Sequence, residues 1–432
     1  MEIYRPTSRN SWLRAEFCRL SPSLAPYQYG TGRDGRGEGG GYLGYHCFIG
    51  LQALKRTLFA LFIFFVFCPV VLFADPPRAK NVILFIGDGM GQAQVMATRV
   101  FAHGPEGRLN IECLEHFGYV TTYPNGSFVT DSAAAGTAMA TGHKTSNDII
   151  GQGEHGQEYK SILEFAREMG KATGLVTTTE VTHATPATFA AHEANREEAK
   201  AIALDYLNGA QPDVILGGGS WVWTPSLLEE AGKLGYTNVF TKKEMDTLDP
   251  AGVKKLLGLF AHSHMAFVVE RGSQEPSLKE MTLEALEILQ RDPEGFFLMV
   301  EGGRIDHAGH NNDLERLIHE VLDFDEAVGA VRARLEVRHG EPAGGTTNQE
   351  TLLIITADHE TGGLSIVGPR GHLPSKGERV EVRWATKYHT AADVPIWAQG
   401  PGAEAVRGRM DNTEVFNLIK NALGIEAVCT KQ

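Results

Sequence analysis

The chain has 432 residues, 42% hydrophobic and 22% charged, the make-up of a globular enzyme with room for one large α/β domain or two smaller ones. Its formal net charge of −13 excludes the basic surface that a nucleic-acid partner requires, so no nucleic acid is expected. Five cysteines, Cys18, Cys47, Cys68, Cys113 and Cys429, are too few for a disulfide scaffold.

The first 74 residues read differently from the rest. Residues 30–45 are rich in Gly and Arg without apolar periodicity, the composition of a disordered segment. Lys55 and Arg56 then precede an apolar run over 57–74 that ends on Ala74 before Asp75. A basic region, an apolar region and a small residue at a cleavage point resemble a secretory signal peptide. The run falls short of the roughly 20 residues of a spanning helix, and Pro69 interrupts it. Three parts are expected. Residues 1–50 are a disordered segment or an over-extended start of translation. Residues 51–74 are a signal peptide, with a retained membrane anchor as the alternative. Residues 75–432 form a single catalytic domain. Export makes the mature protein secreted or periplasmic; retention of the 57–74 run tethers it to the outer side of a membrane. Residues 1–74 hold eight Lys/Arg and four Asp/Glu, so the mature part carries −17 (−13 minus 4) and keeps only Cys113 and Cys429, enough for one disulfide.

Beyond residue 75 apolar runs alternate with helical patterns. The run 81–86 is continuous and ends in Gly87-Asp88-Gly89-Met90-Gly91, which suits a strand buried on both faces. A helix is expected from Ser132, because Ala133-Ala134-Ala135 are strong helix formers with no Pro among them. Further strands are expected at 118–123, 172–178, 213–216, 296–300, 352–356 and 394–398. Further helices are expected at 161–169, 196–207, 277–290, 314–335 and 413–423, and a Gly/Thr-rich surface loop at 339–349. This alternation indicates an α/β fold with a mostly parallel sheet.

In open α/β sheets, ligands bind beyond the carboxyl ends of the strands. Asp88 follows the first run. Glu301-Gly302-Gly303-Arg304-Ile305-Asp306-His307-Ala308-Gly309-His310 follows 296–300, and Asp358-His359-Glu360 follows 352–356. Any one of these acids reads equally well as a helix cap or a surface residue; three strand ends of this kind favour a metal cluster. Asp306 and His310 share a face if their segment is helical. Mixed carboxylate and imidazole ligands suit Zn²⁺, and an all-oxygen set suits Mg²⁺. His389 precedes the last strand, but spacing alone does not separate it from His372 or His319. Ser132 stands at a helix start, where free N–H groups and the helix dipole favour an anion. A serine cap on a buried helix accounts for the same residues.

These motifs, taken together, are similar to those of the alkaline phosphatases. The likeness runs from 81 to 432 and is carried by Gly87-Asp-Gly-Met-Gly, Thr130-Asp-Ser-Ala-Ala, Thr182-His-Ala-Thr-Pro-Ala and Asp213-Val-Ile-Leu-Gly-Gly-Gly. It continues through Gly295-Phe-Phe-Leu-Met-Val-Glu-Gly-Gly-Arg-Ile-Asp-His, Thr356-Ala-Asp-His-Glu-Thr and His389-Thr. The resemblance implies a three-layer α/β sandwich, with a large, mostly parallel twisted sheet flanked by helices on both faces. It implies hydrolysis of small phosphate monoesters to alcohol and phosphate through a phosphoserine on Ser132, with two zinc ions and one magnesium ion. By motif, Asp306, His310 and His389 correspond to the ligands of the first zinc, and Asp88, Asp358 and His359 to those of the second. Asp88, Thr185 and Glu301 correspond to those of the magnesium.

Arg196 falls where the family has its phosphate clamp, a role suited to the planar guanidinium fork; without the family it reads as an ordinary arginine at a helix start. Asp131 is expected to orient it. The metal charges reverse the local sign on an acidic protein. His183 and His307 stand where some bacterial members have Asp and Lys, which leaves the identity of the third metal open. The short span from His359 to His389 implies no large crown-like insertion. Family members are commonly dimers, so a homodimer is expected. A phosphodiesterase on the same scaffold is the alternative, but diesterases usually carry Thr as nucleophile and lack the clamp. No sulfatase motif is present, and a decayed binding protein would not retain the full ligand set.

Overall fold

The structure is a computed structural model that describes residues 78–336 and 347–425. The segments expected at 1–50 and 51–74, most of the loop at 339–349, and Cys429 lie outside the described residues. Cys113 is exposed.

The strands, in chain order, are β1 (Asn81–Gly87), β2 (His116–Thr121), β3 (Ala172–Glu180), β4 (Val214–Gly218), β5 (Tyr236–Val239), β6 (Lys255–Leu259), β7 (Phe296–Gly302), β8 (Thr351–Thr356), β9 (Glu360–Thr361), β10 (Leu364–Gly368), β11 (Glu381–Trp384), β12 (His389–Thr390), β13 (Val394–Gln399) and β14 (Gly408–Asp411). Ten of them form one sheet in the order β14-β2-β13-β8-β1-β7-β3-β4-β6-β5. All run in one direction except β13, which is antiparallel to both neighbours, β8 and β2. Every residue of β1, β7 and β8 is buried, so both faces of the sheet are covered at its centre. That is why these strands read as unbroken apolar runs. The sheet is large and mostly parallel, as expected.

The seven expected strands are present. The one expected at 118–123 begins and ends two residues earlier, because its pairing with β13 runs from His116–Ala398 to Val120–Val394 and leaves Tyr123 exposed. β5, β6 and β14 complete the edges and were not expected. β5 and β14 are four residues long with little apolar alternation, and β6 contains Gly258. Helices Leu314–Leu335 and Thr413–Leu423 match the expected bounds. The helix expected to start at 196 starts at Ala199. The Arg196 N–H instead donates to the Asp148 carbonyl at 2.8 Å, which holds Arg196 in an irregular segment ahead of the helix.

Helix Leu314–Leu335 also anchors the 266–278 segment through buried acids. Glu320 accepts from the Val268 N–H at 2.6 Å, and Asp323 accepts from Arg271 Nη1 at 2.8 Å. Burial pushes Glu320 up to about 7, against the opposing pull of the Val268 N–H and Arg271. A carboxyl that holds its proton more tightly folded than unfolded adds stability that is complete below its ordinary pKa of about 4.3 and is lost as pH rises through 7. Glu320→Gln keeps the acceptor for Val268 and removes the titration. The melting temperature of the variant should therefore fall less than that of the parent between pH 6 and pH 8, a relative gain on the order of 1 kcal/mol. Parallel pH profiles for the two proteins would show that Glu320 is not the source.

Candidate active site

The four central strands, β8, β1, β7 and β3, deliver the acids at their carboxyl ends. Ile86 pairs with both Glu301 and Thr356. Asp88 and Asp358, each two residues further on, therefore emerge level with one another, and Glu301 lies alongside. Glu301 also faces Thr177 on β3. The alternate residues Thr177 and Thr179 both donate hydroxyls to Glu301 Oε2, Thr179 at 3.2 Å. Gly89 turns the chain after Asp88 with φ +70, and its N–H donates to Asp358 Oδ1 at 3.1 Å. A Cβ there would lie 2.9 Å from the Asp306 Cα and 2.8 Å from Thr361 Oγ1, so only glycine fits.

Beyond β7 the chain enters helix Arg304–His310, which puts Asp306 and His310 on one face, His310 Nε2 3.2 Å from Asp306 Oδ2. His389 reaches the same point through pairing, not spacing: β12 pairs with β9, His389 opposite Thr361. Thr390 reinforces the ladder by donating to Glu360 Oε2 at 2.5 Å. The ring protons of all three histidines are spoken for. His310 Nδ1 faces the Lys387 carbonyl at 2.5 Å and His389 Nδ1 faces the Thr130 carbonyl at 2.8 Å, so each Nδ1 donates. Thr361 gives its hydroxyl proton to Asp306 Oδ1 at 2.5 Å, so it accepts from His359 Nδ1 at 3.3 Å. The Nε2 lone pairs of His310, His359 and His389 are left pointing inward at the carboxylates. His310 Nε2 and His389 Nε2 are 3.1 Å apart, and His359 Nε2 is 3.1 Å from Asp358 Oδ2 and 3.5 Å from Asp88 Oδ1.

Ser132 opens helix Ser132–Thr141, which is buried at every position and so carries only small residues and one methionine. At Gly136 a Cβ would meet Thr188 Oγ1 at 2.7 Å. The helix cap is Asp131, not the serine: Asp131 Oδ1 accepts from the Ala134 N–H at 2.9 Å. The serine hydroxyl is thereby left out of the cap, and it donates to His359 Nε2 at 3.2 Å. Asp131 Oδ2 accepts from Arg196 Nη1 at 3.0 Å and from the Asp148 N–H at 3.0 Å. Burial works against the Arg196 charge, but Asp131 more than offsets it and raises the guanidinium pKa. Arg196 Nη2 lies 3.3 Å from His183 Nε2; a guanidinium only donates, so His183 accepts.

Three groups of donors converge closely enough to share an ion: Asp306, His359 and His389; Asp88, Asp358 and His359; and Asp88, His183 and Glu301. His310 joins the first group through its contacts with Asp306 and His389. Both oxygens of Asp88, Asp358 Oδ2, Glu301 Oε1 and Thr185 Oγ1 are buried with no hydrogen-bond partner among the described residues. Burial, then Asp358 and Asp306, pushes Asp88 well above the usual carboxylate range. Burial and Asp306 push Asp358 to about 6, and burial takes Glu301 to about 7. Burial, reinforced by His389, holds His359 well below the ordinary histidine value. Burial and Arg196 do the same to His183. Orphaned acids beside neutral imidazole lone pairs fit cations and nothing else the chain supplies.

The three donor groups, His310, Ser132, Arg196 and Asp131 are thus brought together, while Thr185 is buried with its hydroxyl unpartnered among the described residues. His307 stands at the margin, its Nδ1 2.6 Å from Arg304 Nη1. Sequence reasoning missed His264, whose ring lies 4.6 Å from that of His307 and 5.5 Å from that of His183. It also missed Asn147, which accepts from the Asp131 N–H at 3.1 Å and donates to the Val129 carbonyl at 3.2 Å. Neither carries a local signal. The alternating Thr177 and Thr179 did, since period two at a strand end marks one face. The cavity above these groups measures about 560 Å³, and Ser132, Arg196, His310 and His389 line it.

Fold and donor arrangement define a metal-dependent α/β hydrolase. The alkaline phosphatase family model matches residues 79–376 and 373–425. Alkaline phosphatase 4 of Bacillus subtilis is 34% identical over 423 residues, 80% of this chain and 89% of that one. The human tissue-nonspecific isozyme is 32% identical, over 79% of this chain and 74% of that one. The solved alkaline phosphatase of the Antarctic bacterium TAB5 superposes with a TM-score of 0.72 at 32% identity, over 82% of this chain and all of that one. A variant of it with histidine exchanged for aspartate was solved with Mg bound in the M3 site. The chain belongs to the alkaline phosphatase family, and it is a phosphomonoesterase.

Gly89 gives a direct test of how tightly the acids are packed. Gly89→Ala should cost on the order of 2–4 kcal/mol and lower bound metal per chain, read by thermal denaturation and elemental analysis. Unchanged metal content in a destabilised variant would show that the turn supports the fold but not the donors.

Proposed function

We propose that Ser132 is the nucleophile. Its Oγ bonds to phosphorus as the bond to the ester oxygen breaks, the hydroxyl proton being given up and the departing oxygen leaving as the alcohol; water then cleaves the phosphoserine, releasing phosphate and returning a proton to the serine oxygen. The supporting observation is the Ser132 hydroxyl at a helix start, spared from capping and bonded at 3.2 Å to a nitrogen that belongs to a buried donor set. Arg196, held by Asp131, and the first N–H groups of the helix bind the phosphoryl oxygens.

The donor chemistry fits zinc at Asp306, His310 and His389 and again at Asp88, Asp358 and His359, and magnesium at Asp88, Thr185 and Glu301. When bound, these ions supply the positive charge that lowers the serine pKa and stabilises the departing oxygen. The third set has a nitrogen within reach, His183. Its Nε2 accepts from Arg196, so His183 acts on the third ion from beside the oxygen ligands rather than as one of them.

The apolar run at 57–74 supports export of one catalytic domain over 75–432, secreted, periplasmic or tethered outside a membrane, and family likeness supports a homodimer. The phosphodiesterase alternative finds no support in a site with Ser132 and a clamping Arg196.

Ser132→Ala should lower monoester turnover by at least roughly 10³-fold and abolish the acid-stable phosphoenzyme. Elemental analysis of the parent should find about two zinc ions per chain, a number set by the two mixed ligand sets. Retained turnover in the variant, or faster hydrolysis of a diester than of a monoester by the parent, would sink this assignment. Arg196→Ala should weaken inhibition by inorganic phosphate by roughly 10²-fold. Asp131→Ala should weaken it less, because Arg196 keeps its charge and loses only one anchor; an equal or larger effect at Asp131 would give that carboxylate a role of its own.

A further inference from the structure

We propose that Tyr388, with Val129 opposite, forms a subsite for a planar, aromatic leaving group, so that aryl monoesters are favoured over alkyl ones of similar size. The proposal rests on the placement of the phosphoryl group against Ser132 and Arg196. Tyr388 is 75% exposed and Val129 37% exposed, yet both line the cavity that holds Ser132. Phe128, 74% exposed, is next in the chain. Large apolar side chains left in water contribute little to the fold, and Tyr388 and Val129 both border the cavity that holds Ser132.

Three hydrogen bonds hold their backbone in place. The His389 Nδ1 donates to the Thr130 carbonyl at 2.8 Å, which ties Val129–Thr130 to Tyr388–His389. The Tyr388 carbonyl accepts from the Gly362 N–H at 3.0 Å and the Tyr388 N–H donates to Thr386 Oγ1 at 3.1 Å. The ring is therefore presented from a backbone held on both sides, at little further entropic cost on binding. The direction is also set. With phosphorus at Ser132 Oγ and its free oxygens on Arg196, an in-line departing group points away from Ser132 into the rest of the cavity, whose lining includes His310, His389 and Tyr388. Tyr388 is the residue adjoining His389 there. A cavity of about 560 Å³ holds more than a phosphate, and Val129 and Tyr388 supply the apolar part of its otherwise polar lining.

The test is the ratio of kcat/KM for 1-naphthyl phosphate to that for glycerol phosphate, which cancels any general loss of activity in a variant. Tyr388→Ala should lower this ratio about five- to tenfold, the range expected for one aromatic contact, and Tyr388→Phe should keep it within about twofold of the parent. An unchanged ratio in Tyr388→Ala overturns the proposal. So does a change in sedimentation mass that accompanies the loss, which would assign the ring to contact with a second copy of the chain. Ser132→Ala separates the two readings: if it retains turnover, the placement of the phosphoryl group fails first, whereas an unchanged ratio beside an inactive Ser132→Ala rejects the subsite alone.

Discussion

The structure turns on charges and lone pairs of one sign held together in a buried space. Asp88, Glu301, Asp306 and Asp358 are all nearly or fully buried, and three imidazole Nε2 lone pairs face them. Backbone carbonyls of Thr130 and Lys387 and the hydroxyl of Thr361 take the Nδ1 protons, so in the neutral rings every Nε2 presents its lone pair inward, and a proton added to His310 Nε2 is held by Asp306. Each unsatisfied buried carboxylate costs several kcal/mol unless it is protonated or meets a cation. The raised pKa values of Asp88, Asp358 and Glu301 express the first escape, and metal binding is the second. Fixing the outer nitrogens is what tips the choice toward metal, since it leaves every inner donor ready to coordinate.

Such a cluster survives only on a frame that cannot relax away from it. Four adjacent parallel strands, buried on both faces, set the level at which Asp88, Glu301 and Asp358 emerge. Relief by local movement would require slipping a register that buries the whole sheet centre. The donors that do not come from strand ends are tied to that frame by short polar bridges: Thr361 to Asp306, Thr390 to Glu360, and Asp131 to both the serine helix and Arg196.

Legibility in the sequence followed the range of the forces involved. The central strands were legible because burial on both faces writes an unbroken apolar run, and the acids after them were legible because their position beyond a strand is local information. Edge strands β5 and β14 write no such run. His389 showed the limit on residues alone: its place depends on a two-residue ladder with Thr361 and Glu360, a contact between distant segments, and only the family likeness singled it out. Asn147 and His264 had neither a local pattern nor a matched motif. At Ser132 the sequence left two readings of one residue, cap or nucleophile. The cap belongs to Asp131, one position earlier, so the serine hydroxyl has no structural hydrogen bond within its own helix end.

That one-residue offset has a consequence for charge. Asp131 uses one oxygen to close the helix start and the other to hold Arg196, and a single side chain thereby aligns two anion-binding elements toward one point. Both are positive, the helix start through its dipole and Arg196 through its guanidinium. A carboxylate this close would weaken anion binding if its charge were free, but both oxygens are turned away into N–H and guanidinium donors. The chain carries an excess of acid, with a formal net charge of −13, and its own carboxylates crowd the site. Its attraction for a phosphate dianion must then come from a few oriented positive groups and from the cations that the acids recruit. The acidity is in this sense a precondition of the activity: without the buried carboxylates there is nothing to gather the ions, and without the ions Ser132 faces the substrate across a negative field.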